Sequence, residues 1–186
     1  MILILDFGSQ YSQLIARKVR SFSVYSQIVP FNTSLAEIRK LRPRGIILSG
    51  GPASVAAKGS PKVRRELLDM GVPILGICYG MQLLVHLLGG KVRPQAHSEF
   101  GRANMKVIKA DPLLAGFPRR DVVWMSHNDA AVRLPGEWQT LASTEGCAQV
   151  IASHRSRPFY GLQFHPEVHH TPHGGQILKN FVLNVC

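Results

Sequence analysis

A thiol flanked by glycines sits at Gly76-Ile77-Cys78-Tyr79-Gly80, after the apolar run Val72-Pro73-Ile74-Leu75 and before Met81 to Leu88, which reads as a helix. Strand, Gly-x-Cys-x-Gly, helix is the thiol form of a nucleophile elbow. A sharp strand-to-helix turn strains the backbone of the nucleophile, and neighbours without side chains let strand and helix approach closely. The turn also sets the sulfur near a helix N-terminus, whose partial positive charge favours a thiolate. Taken alone, the five residues equally fit a buried cysteine beside two loop glycines.

A cysteine nucleophile needs a base and a group that orients the base. The apolar strand ending at Phe164 runs into His165-Pro166-Glu167. On an extended backbone residues i and i+2 face the same way, and Pro166 pushes His165 towards that conformation. His165 then takes the thiol proton and returns it to a leaving amine, while Glu167 holds the ring in its useful tautomer. Acyl transfer also builds a negative oxygen. The backbone N–H groups of Gly51, in the Gly50-Gly51-Pro52 loop, and of Tyr79 are the natural donors for it. A rival reading is a metallohydrolase, since His165, Glu167, His169, His170 and His173 place five donors in nine positions. No His-Glu-x-x-His helix appears, and Pro166 and Pro172 forbid a regular helix there, so no metal is expected.

These groups need a frame. Residues 2–5, 25–29, 45–48 and 73–77 read as strands. Helices follow them, marked by Leu14, Ile15, Val19 and Phe22, by Leu35, Ile38 and Leu41, by Val63, Leu67, Leu68 and Met70, and by residues 81–88. Alternation of this kind argues a parallel, doubly wound sheet whose sites collect at the carboxyl ends of strands, where Gly8-Ser9, Ser49-Gly50-Gly51 and Cys78 fall. After Gly89-Gly90 the pattern changes to strands at 91–93, 104–108, 122–125, 140–143, 148–152 and 159–164, with a closing helix at 176–182. Ser126-His127-Asn128-Asp129 is a polar tetrad placed just after one of these strands. The expected fold is α/β in three layers: a mostly parallel central sheet, helices on both faces, and an added antiparallel portion in the second half. Residues 1–186 are expected to form one domain.

Composition narrows the classes. Hydrophobic residues make up 45% and no apolar run reaches membrane-span length, so a membrane role is not expected. Met1 to Leu5 is broken by Asp6 and lacks a basic leader, so it reads as a first strand and not as a signal peptide. Cys78, Cys147 and Cys186 show no paired spacing, which points to free thiols and a cytoplasmic setting. The net charge of +11 is scattered over several segments with no basic tail, so it reads as solvated helix faces and not as a nucleic-acid site.

Together, Gly76 to Gln82, Gly50-Gly51-Pro52 and His165-Pro166-Glu167 resemble the class I, triad-type glutamine amidotransferases. Asp6 to Tyr11, Ile47 to Pro52, Glu99-Phe100-Gly101, Trp124 to His127 and Tyr160 to Val168 resemble, more finely, the amidotransferase part of GMP synthases. The likeness spans essentially the whole chain. It implies hydrolysis of L-glutamine through a thioester on Cys78, with the ammonia passed to an ATP-pyrophosphatase (synthetase) subunit or domain that aminates xanthosine monophosphate. ATP and Mg²⁺ are expected in that partner and no cofactor here. The resemblance also implies that Gln82, Ser126, Asn128 and Asp129 hold the amino-acid end of glutamine, with His169 as a further substrate-side residue. Asn128 stands where many relatives have glycine. No Ser-Gly-Gly-x-Asp nucleotide loop is present, so a separate subunit or a part of a longer chain is expected. The alternatives are the amidotransferase of an anthranilate- or aminodeoxychorismate-type synthase, or a regulatory module without turnover. The intact Cys78, His165 and Glu167 disfavour the latter.

Overall fold

The structure, a computed structural model, describes residues 1–95 and 99–186. In the first half, β1 (Ile2–Asp6), β2 (Ser26–Pro30), β3 (Gly45–Leu48) and β4 (Ile74–Ile77) alternate with α1 (Ser12–Arg20), α2 (Leu35–Leu41), a 3₁₀ segment (Arg65–Met70) and α3 (Tyr79–Leu87). In the second half, β5 (Lys91–Val107), β6 (Arg120–Arg133), β7 (Trp138–Ser143), β8 (Ile151–His154) and β9 (Phe159–Leu162) precede α4 (Gly174–Asn180). All of these strands join one sheet in the order β2-β1-β3-β4-β9-β8-β7-β5-β6. From β2 to β9 the neighbours run parallel; from β9 to β6 they run antiparallel. The parallel core and the antiparallel second half therefore meet at β9.

The strand sequences explain the layering. Ile2 and Ile4 point to one face, where Ile15 and Val19 of α1 and Ile177 and Leu178 of α4 pack. Leu3 and Leu5 point to the other, against Ile38 of α2, Leu67 and Leu68 of the 3₁₀ segment and Leu83 and Leu84 of α3. A strand covered on both faces needs a continuous apolar run, and β1, β3 and β4 have one.

Several elements differ from the sequence expectation. The stretches at 91–93 and 104–108 belong to one strand, β5, whose long ladder with β6 carries the tetrad Ser126 to Asp129 inside a strand and not after one. Backbone pairing in an antiparallel ladder is indifferent to side-chain polarity, so polar residues continue it. The helix expected around Val63 to Met70 is a 3₁₀ segment that ends at Gly71 in the left-handed region. Strand β9 stops at Leu162, before Phe164, and the closing helix starts at Gly174 and tightens into a π-helical turn over Phe181–Val185.

The elbow depends on close approach. A Cβ on Gly76 would lie 2.5 Å from the backbone of Gly80, and one on Gly80 would overlap the Leu48 carbonyl of β3. Gly80→Ala is expected to lower stability by about 1–3 kcal/mol, the usual cost of overpacking. Urea unfolding followed by circular dichroism checks this; an unchanged midpoint would show that β3 and α3 have room to part.

Candidate active site

Cys78 follows β4 and precedes α3, with φ 50° and ψ −106°. A side-chain-bearing residue at positive φ is strained, by about 1–3 kcal/mol. The surroundings hold it there: the Cys78 N–H donates to the Leu162 carbonyl at 2.7 Å, and its own carbonyl accepts from Gln82 N–H at 3.1 Å. The expected elbow is thus present, and Tyr79, as the first residue of α3, has an N–H outside the intrahelical ladder.

His165 and Glu167 are brought to the same place. His165 Nδ1 lies 2.8 Å from Glu167 Oε1, and Cys78, His165 and Glu167 are only 5%, 5% and 6% exposed. The pair meets through a turn at residues 166–167 and not along an extended strand as the sequence suggested. The turn is possible because the amino end of α4 packs directly on it: a Cβ on Gly174 would overlap the Pro166 carbonyl. Burial opposes the charged form of His165, but hydrogen bonds to Cys78 and Glu167, together with their negative charge, outweigh it and hold the ring up to about 10. With Nδ1 committed to Glu167, Nε2 is the nitrogen left for the sulfur.

Residues that sequence reasoning missed fix this pair. His165 N–H donates to the Trp124 carbonyl at 3.1 Å, Thr171 Oγ1 donates to the His165 carbonyl at 2.7 Å, and Trp124 N–H donates to Thr171 Oγ1 at 3.0 Å. This closed ring of bonds ties the catalytic histidine to β6. Gln163 is fully buried, with Nε2 3.8 Å from Cys78 Sγ and Oε1 accepting from Gln82 Nε2 at 3.3 Å. A glutamine between Leu162 and Phe164 in an apolar strand was the available signal. Ser49 Oγ accepts from Phe7 N–H and donates to the Gly50 carbonyl. The Gly51 N–H of the same trans peptide therefore points away from Ser49. Gly50 is also packed against the pair, since a Cβ there would lie 3.0 Å from His165 Cε1.

A cleft of about 740 Å³ opens over the sulfur. Its walls include Gly51, Gln82, Ser126, Asn128 and Asp129, all expected from the sequence, together with Ser9, Tyr11, Phe100 and His127. Gln82 Nε2 donates to the Asp129 carbonyl at 2.6 Å, which joins α3 to β6 across the cleft. His169 is not there: it is exposed and lies against His170, which stacks on Trp124. The step from Val168 into the following turn carries its side chain outward. The five donors weighed as a rival metal site lie in different surroundings, with His165 buried, His169 and His173 exposed and His173 paired to Asp121.

Residues 3–185 match the family model for class-I glutamine amidotransferases. The chain belongs to that family and is a glutamine amidotransferase domain. It is 50% identical over 185 residues to a glutamine-hydrolysing GMP synthase of Aquifex aeolicus and 46% identical over 186 residues to that of Bacillus subtilis, matching 100% of this chain and 36% of each relative. The chain thus spans about a third of the length of these curated relatives. A solved structure from Thermoplasma acidophilum, described as one subunit of a GMP synthase, superposes with a TM-score of 0.85 at 33% identity, covering 100% of this chain and 92% of that one. A glutamine amidotransferase from Thermotoga maritima shares the fold, with a TM-score of 0.74 at 21% identity over 90% of this chain and 76% of that one.

The bond ring around Thr171 generates a clear expectation. Thr171→Val removes the hydroxyl and leaves the part-buried Trp124 N–H and the buried His165 C=O without this partner, so kcat for glutamine hydrolysis should fall about tenfold or more with KM little changed. Thr171→Ser should restore most of it; equal loss in both variants would mean that the methyl packing matters and the bonds do not. The raised His165 ring also makes stability depend on pH. The folded ring keeps its proton to about 10 and an unfolded one releases it near 6.5. Its contribution is therefore complete below pH 6.5 and is lost as pH rises towards 10. Urea midpoints should fall across that window in the wild type and fall less in His165→Gln.

Proposed function

We propose that the chain hydrolyses L-glutamine to glutamate and ammonia through a thioester on Cys78. It then supplies the ammonia to an ATP-using synthetase unit that aminates xanthosine monophosphate to GMP. The observation that carries the chemistry is the strained Cys78 elbow facing a buried His165–Glu167 pair whose ring holds its proton at neutral pH.

Cys78, as the thiolate, attacks the side-chain amide carbon of glutamine. The carbonyl oxygen takes the negative charge and is received by the backbone N–H groups of Gly51 and Tyr79. Collapse of the tetrahedral species breaks the C–N bond, and His165 gives its Nε2 proton to the departing nitrogen, releasing ammonia. A water then loses a proton to His165 and attacks the thioester, which frees glutamate and returns the sulfur. Glu167 Oε1 keeps Nδ1–H fixed throughout and stabilises the charged ring. Gln82 and the Ser126, Asn128 and Asp129 wall receive the amino-acid end of the substrate, and His169 takes no part in this reading. No cofactor serves this half of the reaction; ATP and Mg²⁺ belong to the synthetase unit.

The partner reading rests on the relatives, each of which is a longer GMP synthase matched here over one part. Among the described residues no helix is long and apolar enough to cross a membrane. The cysteines are free thiols, which fits a reducing, cytoplasmic setting.

Cys78→Ala should abolish glutamine hydrolysis, by about a thousandfold or more, with the fold intact. Intact mass after incubation with a glutamine-like diazoketone should show one adduct, mapped to Cys78 and blocked by excess glutamine. Repeating both with an added GMP synthase synthetase unit tests the partner. Ammonia release that survives in Cys78→Ala would overturn the mechanism, and adduct formation and turnover unaffected by the synthetase would overturn the partnership.

A further inference from the structure

A second cluster of reactive side chains lies behind the cleft wall. Glu99 of β5 and His127 of β6 are directly opposed in the ladder, and Cys147 reaches them from the loop between β7 and β8. One donor atom from each lies within 4.8 Å of the other two. His127 is 4% exposed and Cys147 is 3% exposed. His127 Nε2 stands 3.4 Å from Glu99 Oε2, and among the described residues neither ring nitrogen of His127 has a hydrogen bond of proper geometry. A buried imidazole left in that state asks for a ligand, because the large majority of buried polar atoms are paired.

The surroundings are arranged as they are around metal ligands. Thr144 Oγ1 donates to Glu99 Oε1 at 3.1 Å and accepts from Cys147 N–H at 3.0 Å. One hydroxyl therefore orients the carboxylate and the loop that carries the thiol, as an outer-shell partner does. The loop adds a close approach: a Cβ on Gly146 would lie 2.5 Å from Glu99 Oε1, so only glycine lets the carboxylate reach this position.

We propose that Glu99, His127 and Cys147 form a site for a zinc-class transition-metal ion, with a fourth position open to water. Mixed thiolate, imidazole and carboxylate ligation in three protein positions is chemistry that Zn²⁺ and Co²⁺ accept. Metal–ligand distances of about 2.0–2.3 Å place ligand atoms about 3.5 Å apart; His127 Nε2 and Glu99 Oε2 already stand at 3.4 Å, and the three donors lie within 4.8 Å of one another. His127 also lines the cleft beside Ser126, whose carbonyl lies 3.7 Å from the Cys78 sulfur, so an ion would enter from the cleft and brace the strand that carries the substrate wall. The site is separate from the Cys78 chemistry and does not rest on it.

Co²⁺ titration of the chelator-treated chain, read by the sulfur-to-cobalt charge-transfer band and by equilibrium dialysis, tests this without any activity. One Co²⁺ per chain with a thiolate band is expected, displaced by Zn²⁺. Cys147→Ser should remove the band, and His127→Gln should weaken binding at least tenfold. Cys186→Ser, and Cys78→Ala with His165 intact, should bind as the wild type does. Circular dichroism of each variant separates lost ligation from lost folding, and Thr144→Val, which keeps all three ligands, should weaken binding in a folded chain. No stoichiometric binding, or binding that follows Cys78 or Cys186 and ignores Cys147, would overturn the proposal.

Discussion

The left-handed backbone at Cys78 is the constraint on which the rest of the site depends. A cysteine does not adopt φ 50° without support. Here the support comes from three directions. Strand β9 takes the Cys78 N–H, α3 takes its carbonyl, and β3 presses on Gly80. The core on both faces of the sheet over-determines these positions, so the local strain is outweighed by packing that has nothing to do with chemistry. The elbow lifts the sulfur off the end of β4, where the parallel half of the sheet leaves its crevice.

The second half of the chain builds the opposite wall, and β6 acts as its ruler. One stretch of this strand fixes His165 through Trp124, meets the sulfur through the Ser126 carbonyl and meets Gln82 through the Asp129 carbonyl. These contacts use backbone groups. Side-chain identity on β6 can therefore change without moving these backbone contacts. What cannot change freely is the placement of β6 along the sheet, because a slip would carry the Trp124, Ser126 and Asp129 carbonyls away from His165, Cys78 and Gln82.

The parts legible from the sequence were those whose signal is local. The elbow is contiguous, and β1, β3 and β4 are continuous apolar runs, so both were read with nearly the observed limits. The pairing of His165 with Glu167 was anticipated, though through the wrong local conformation: the chain turns at Pro166 because α4 packs against it, a tertiary cause with no trace in the tripeptide. The length of β5 and β6 was hidden because polar side chains interrupt their hydrophobic pattern while the backbone ladder carries on. Thr171, Gln163 and the bonds made by the Ser49 hydroxyl were passed over for a related reason. Each acts by bonding to a group distant in sequence or to a peptide carbonyl, and isolated polar residues do not announce such partners. His169, named from the resemblance alone, is exposed and outside the residues that wall the cleft, since a family position does not fix where a side chain points.

The position of β9 has a consequence for how the chain comes into being. It is the last strand in sequence but sits in the middle of the sheet, between β4 and β8. Until it inserts, β4 is an open edge, the Cys78 N–H lacks its acceptor, and Gln163, 85 residues downstream of the cysteine, is absent from the sulfur. The earlier strands can pair during synthesis, but a nascent chain on the ribosome has no working centre before β9 and the His165–Glu167 turn emerge. Amide hydrolysis is thereby withheld from incomplete chains by the strand order of the sheet.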